Sequence, residues 1–64
     1  MENIIIKEND ESIYIQLKDH PKKITFGIVD KNIDIASLIK NYIGTPIYFD
    51  FNKDGILIGI EILK

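Results

Sequence analysis

Residues Asp50 to Glu61 read DFNKDGILIGIE, and two incompatible structures can be drawn from them. As a calcium loop the stretch satisfies D-x-[DN]-x-[DN]-G-x5-E at every named position. Asp50, Asn52 and Asp54 fall on the first, third and fifth places, Gly55 on the sharp turn and Glu61 on the closing bidentate carboxylate. As a β-hairpin, Ile47, Phe49 and Phe51 alternate up to an Asn52-Lys53-Asp54-Gly55 turn, and Ile56 to Leu63 runs back. A calcium loop needs a helix entering and another leaving, because that frame folds the ligands around one point. Gly44 and Pro46 precede Asp50 closely, and ILIGIEIL is a far better strand than helix. The hairpin reading therefore prevails, and with it the expectation of no metal and no cofactor.

The hairpin carries an expected register. With Phe51 opposite Ile56, Phe49 faces Ile58, Ile47 faces Ile60, and Tyr48 covers Gly59, an aromatic ring making good a missing side chain. Asp50 then faces Leu57, and Glu61 lies roughly 13 Å further along the strand, out of reach of a shared ion.

Working outward, Asn3 to Lys7 and Ser12 to Lys18 form a first hairpin around Glu8-Asn9-Asp10-Glu11, with Ile13, Ile15 and Leu17 on one face and Tyr14, Gln16 and Lys18 on the other. Asp19-His20-Pro21 makes a turn that leaves His20 exposed. A third strand resumes at Ile24, with Ile24, Phe26 and Ile28 on one face. The period then changes. Ile35, Leu38, Ile39 and Tyr42 recur at helical spacing, Asp34 or Asn32 caps the start, and Gly44-Thr45-Pro46 stops a helix of roughly ten residues. So short a helix must lay its apolar stripe on the sheet.

Bulk composition narrows the function classes. The 64 residues form a single domain, near the lower size limit for a chain without disulfide or metal support. Sixteen isoleucines favour strands. The absence of cysteine excludes a disulfide framework and fits the cytoplasm. Three consecutive isoleucines in MENIIIKEND fall far short of a signal-peptide core or a membrane span. A net charge of −2 and the lack of arginine disfavour nucleic-acid binding, and Lys18, Lys22 and Lys23 are too few to reverse this.

Two segments carry a family resemblance. ESIYIQL, Glu11 to Leu17, resembles the acidic-x-hydrophobic-Tyr-hydrophobic-x-Leu strand of the YuzE-like family, small bacterial domains of unknown function. FDFNKDGILIGIEIL, Phe49 to Leu63, resembles that family's closing aspartate-rich turn, Gly-Ile-Glu-Ile and terminal leucine. The resemblance implies a compact sheet-plus-helix domain and no transferable activity. The helical segment, residues 33–44, is longer than that family's pattern.

Among candidate sites, one histidine leaves little material for a serine triad or a paired-histidine metal site. Glu61 lies on the face shared with Tyr48, Asp50 and Gly59, where a carboxylate in an edge or half-exposed strand blocks edge-to-edge pairing. Tyr14 and Tyr48 suit interface anchors, and Glu8, Asp10, Glu11, Asp50 and Asp54 suit a negative surface for a basic protein partner.

The expected fold is α+β, an antiparallel sheet of about five strands in the order β-β-β-α-β-β with the helix across one face. Its core should draw on Ile4, Ile6, Ile13, Ile15, Leu17, Ile24, Phe26, Ile28, Ile35, Leu38, Ile39, Ile47, Phe49, Phe51, Ile58, Ile60 and Ile62. Open sheet edges favour a homodimer. The expected function is a non-enzymatic protein-binding module such as an immunity protein, antitoxin or phage-type inhibitor. The alternatives are a calcium-responsive or catalytic protein using Asp50 to Glu61, and a purely structural homo-oligomer.

Overall fold

The computed structural model describes residues 4–22 and 27–64. They form a five-stranded antiparallel sheet with one short helix, broadly α+β as the sequence leads one to expect. The strands are β1 (Ile5–Glu8), β2 (Ser12–Gln16), β3 (Lys31–Asp34), β4 (Ile47–Phe51) and β5 (Leu57–Leu63), and the helix is α1 (Ile35–Leu38). Their spatial order is β1-β2-β5-β4-β3, so the carboxyl-terminal strand is the central one, held by β2 on one side and β4 on the other. Glu61 therefore does not guard an edge. The edges belong to β1 and β3, and β3 blunts its own with the polar run Lys-Asn-Ile-Asp.

Strand alternation sorts the side chains into rows that cross the sheet. One row places Ile6, Ile15, Ile60, Phe49 and Ile33 side by side, and the next on that face places Glu8, Ile13, Ile62 and Ile47. The intervening rows belong to the opposite face. One is Lys7, Tyr14, Glu61, Tyr48 and Asp34, and the other is Ile5, Gln16, Gly59, Asp50 and Asn32. One face is thus almost wholly apolar, and the other is predominantly polar.

The β4–β5 pairing departs from the expected register. Phe51 pairs with Leu57, but Asp50 pairs with Gly59, Phe49 with Ile60, Tyr48 with Glu61 and Ile47 with Ile62. An irregularity between Asp50 and Phe51 lets Ile58 stand as an extra residue in β5. Beyond it the offset from expectation is two residues, and because side chains alternate with period two, every face assignment survives the slip. What changes is the partner of Gly59. Tyr14, reaching over from β2, covers it in place of Tyr48, and a Cβ built on Gly59 would lie 2.0 Å from the Tyr14 hydroxyl oxygen and 2.6 Å from Cζ.

The third strand and the helix also differ from expectation. The strand expected from Ile24 lies partly on residues 23–26, outside the described residues, while Gly27 to Asp30 are not extended-sheet residues and Gly27 takes a left-handed φ of 81°. The observed β3 begins at Lys31, in a segment whose asparagine and aspartate are weak strand formers. Pairing with β4 overrides that propensity. The expected helix keeps its start at Ile35 but is left with one turn. Asp34 caps that turn as anticipated, its carboxylate accepting the Ala36 N–H at 3.0 Å. Ile39 is already extended and Asn41 is left-handed at φ 61°, so the stop comes before Gly44.

Burial is the reverse of what the hydropathy pattern leads one to expect. Of the expected core residues that are described, Ile58 alone is fully buried, at 1% exposure. Ile13, Ile15, Leu17, Ile28, Ile35, Ile47, Phe49, Phe51, Ile60 and Ile62 are half-buried, and Ile4, Ile6, Leu38 and Ile39 are exposed. Ile24 and Phe26 lie outside the described residues. The polar face, by contrast, buries Gln16, Gly59 and Asp50. None of the residues of helix α1 is buried.

Gly59→Ala tests the packing of Tyr14 on β5. At an unencumbered strand site this change stabilises by about 0.4–1 kcal/mol through the unfolded chain. Here the new methyl must displace a phenol ring that is tied down, and a loss of about 2 kcal/mol in urea unfolding is the expected outcome. A neutral or stabilising result would mean that Tyr14 does not rest on Gly59.

Candidate functional site

The buried polar cluster is built on four adjacent strands. Tyr14 leaves β2, crosses the bare backbone of Gly59 on β5, and donates its hydroxyl to Asp50 Oδ2 on β4 at 2.8 Å. Asn32 on β3 donates its side-chain N–H to the other oxygen, Asp50 Oδ1, at 2.6 Å. Both carboxylate oxygens are thus engaged, and Asp50 is 8% exposed. A carboxylate so placed ties four neighbouring strands together with two hydrogen bonds and one aromatic span. Burial raises the Tyr14 phenol well above its ordinary range, with the hydrogen bond and charge of Asp50 and the charge of Glu61 adding to the effect. The phenol remains a donor across the physiological range.

The connection between β2 and β3 brings His20 onto this cluster. Its ring meets that of Tyr14 edge-on at 6.0 Å between centroids. The residue is 7% exposed, which corrects the expectation of an exposed turn. Lys22 takes a left-handed φ of 66° and donates its backbone N–H to His20 Nδ1 at 2.8 Å, while its ammonium donates to the carbonyls of Leu17 and His20. Burial lowers the His20 pKa, assisted by the positive charge of Lys22, against an opposing pull from Asp50. Gln16 lies on the same covered face at 7% exposure, and its Oε1 has no hydrogen-bond partner among the described residues.

The other residues singled out from sequence do not converge. Glu8, Asp10 and Glu11 are exposed at the β1–β2 turn, next to the end of β5, where Lys64 donates its backbone N–H to the Glu11 carbonyl and its ammonium meets Glu8 at 2.5 Å. Asp54 sits in the β4–β5 turn at the start of β5. The whole length of β5 separates the two turns, roughly 20 Å at 3.4 Å per residue. With Asp50 buried, a single acidic surface made of all five acids does not form. Tyr14 and Tyr48 do share one face, flanking Glu61 in the same cross-strand row, and all three are half-buried.

The observed register also revises the metal geometry. Glu61 stands only two residues beyond the partner of Asp50, roughly 7 Å along the strand in place of the anticipated 13 Å. The oxygens of the would-be loop are nevertheless committed elsewhere. Asp50 accepts from Tyr14 and Asn32, and Asn52 Oδ1 accepts the N–H groups of Asp54 and Ile56 to build the turn. Among the described residues, no group of three histidine, aspartate or glutamate side chains is gathered closely enough to hold a metal ion. A cleft of about 280 Å³ lies between the two loops at this end, with Pro21, Ile28 and Ile58 as its apolar lining and Asp19, Lys53 and Asp54 as its charged one. It is smaller than the usual range for small-molecule sites.

Sequence reasoning missed Asn32 and His20 as parts of the cluster. Asn32 becomes a partner of Asp50 only through the β3–β4 pairing, and nothing local signals that pairing. His20 carries the opposite local signal, since the following proline marks an exposed turn. The chain matches no protein-family model, no curated protein and no solved structure. Among the described residues, no helix is long and apolar enough to cross a membrane.

The depressed His20 pKa has a definite sign. The unfolded chain binds a proton at the ordinary histidine value near 6.5, whereas the folded chain resists doing so, and protonation would remove the acceptor used by the Lys22 N–H. The stabilising effect is complete above the unfolded value and is lost as the pH falls from there through the folded value. Urea midpoints measured between pH 7.5 and 5.5 should decline for the wild type and stay flatter for His20→Gln. Parallel profiles would show that His20 ionises as freely folded as unfolded.

Proposed function

We propose that the chain is a non-enzymatic protein-binding module, such as an immunity protein, antitoxin or phage-type inhibitor, that works in the cytoplasm and covers a partner's active surface. The observation that carries this reading is the row of Tyr14, Glu61, Tyr48 and Asp34 on four adjacent strands. Tyr14 is fixed by Asp50, which makes the neighbouring surface rigid before any partner arrives and lowers the ordering cost of association. Tyr48 offers ring area with a polar tip and few rotamers, the side-chain type that dominates interface energetics. Two carboxylates against the single Lys7 in the same row favour a partner whose contacting surface is basic.

Affinity capture from the native cell with wild-type and Tyr48→Ala baits tests the reading. A second protein retained by the wild type and lost from Tyr48→Ala is the expected result. Recovery of nothing but copies of the chain itself would replace the module with a purely structural oligomer. Micromolar calcium binding by calorimetry, abolished in Asp50→Ala, would replace it with the calcium-responsive or catalytic alternative that uses the Asp50 to Glu61 segment.

A further inference from the structure

The apolar face lacks a cover within the described chain. Ile6, Ile15, Ile60, Phe49 and Ile33 cross it in one row and Ile13, Ile62 and Ile47 in the next, yet none is fully buried and Ile6 is 65% exposed. Among the described residues, His20 in the connection from β2 to β3 lies against Tyr14 on the opposite face, and no residue of helix α1 is itself buried. An apolar set of this size stabilises a fold only when water is removed from it, and a chain of 64 residues has little other core to draw on.

Surface area indicates how much cover is needed. The chain exposes 4858 Å², whereas a folded monomer of 7.4 kDa exposes about 4,200 Å² by size scaling. The excess of roughly 650 Å², summed over the whole chain, is on the scale of the roughly 800 Å² that each partner contributes to an interface of standard size. We propose that the same face of a second copy closes it, the two sheets stacking about 10 Å apart around a two-fold axis. A second copy matches the face in chemistry. The two rows carry a single charged residue, Glu8, at one edge, so a basic or acidic foreign surface would leave its charges unpaired against isoleucine and phenylalanine. The contact runs face to face and leaves the Tyr14, Glu61 and Tyr48 row outward on both copies. It therefore stands independently of whether that row has a partner.

Two neighbouring isoleucines separate this proposal from edge pairing and from nonspecific stickiness. Ile6 and Ile5 sit on the same edge strand, are 65% and 41% exposed, and belong to the apolar and polar faces respectively. Because both are already exposed at an edge, lysine at either position leaves the sheet itself intact, which a circular dichroism spectrum checks. Sedimentation equilibrium of the purified chain alone should give twice the 7.4 kDa mass at tens of micromolar or so, a concentration range set by an ordinary micromolar dimer. Ile6→Lys should weaken the dimer about tenfold or more, and Ile5→Lys should leave it within about twofold. A monomeric mass in the wild type up to roughly millimolar concentration overturns the proposal. So does equal weakening by the two variants, which would place the contact along the β1 edge.

Discussion

The hydrogen bond from Tyr14 to Asp50 across Gly59 is the constraint on which the remaining arrangement depends. It requires β5 to lie between β2 and β4, a glycine at the crossing point, and a register that brings Asp50 level with Gly59. The irregularity at Ile58 supplies that register. Once the phenol is engaged, Asn32 can complete the carboxylate from β3, and the ring of His20 can close over the phenol from the β2–β3 connection. A buried carboxylate without these donors would be strongly destabilising, so the network is needed as a unit and not as separate contacts.

A chain whose composition is dominated by isoleucine thus folds with its best-covered surface on the polar side. Gln16, His20, Gly59 and Asp50 are buried, while the isoleucine and phenylalanine rows remain half open. For a small domain, such an asymmetry fits the proposal that the core is completed by association. Under the two proposals the faces divide their roles: the apolar one supplies stability through contact, and the polar one presents a row of tyrosine and carboxylate side chains.

Much of this was legible in the residues themselves. Alternation in ESIYIQL and in the Ile47 to Leu63 hairpin placed most side chains on the correct face: beyond the irregularity the two-residue error in register left the faces unchanged because the strand period is two, whereas Leu57, expected opposite Asp50, stands opposite Phe51. The turn at Asn52 to Gly55 was also legible, since asparagine there accepts backbone N–H groups as turn residues do. What could not be read was anything settled by pairing at a distance. Lys31 to Asp34 is a strand because β4 lies beside it, and the helix expected over ten residues ends after one turn, where Ile39 is extended and Asn41 left-handed. His20 and Asn32 joined the site through that same long-range geometry.

A double-mutant cycle on Tyr14→Phe and Asp50→Asn measures the central interaction most directly. Urea unfolding of the wild type, the two single variants and the double variant isolates the coupling between the phenol and the carboxylate from whatever else each change does. For a hydrogen bond to a buried carboxylate the coupling should be about 2 kcal/mol. A coupling indistinguishable from zero would mean that the two strands are not joined through these side chains, and the account of the polar face would be contradicted.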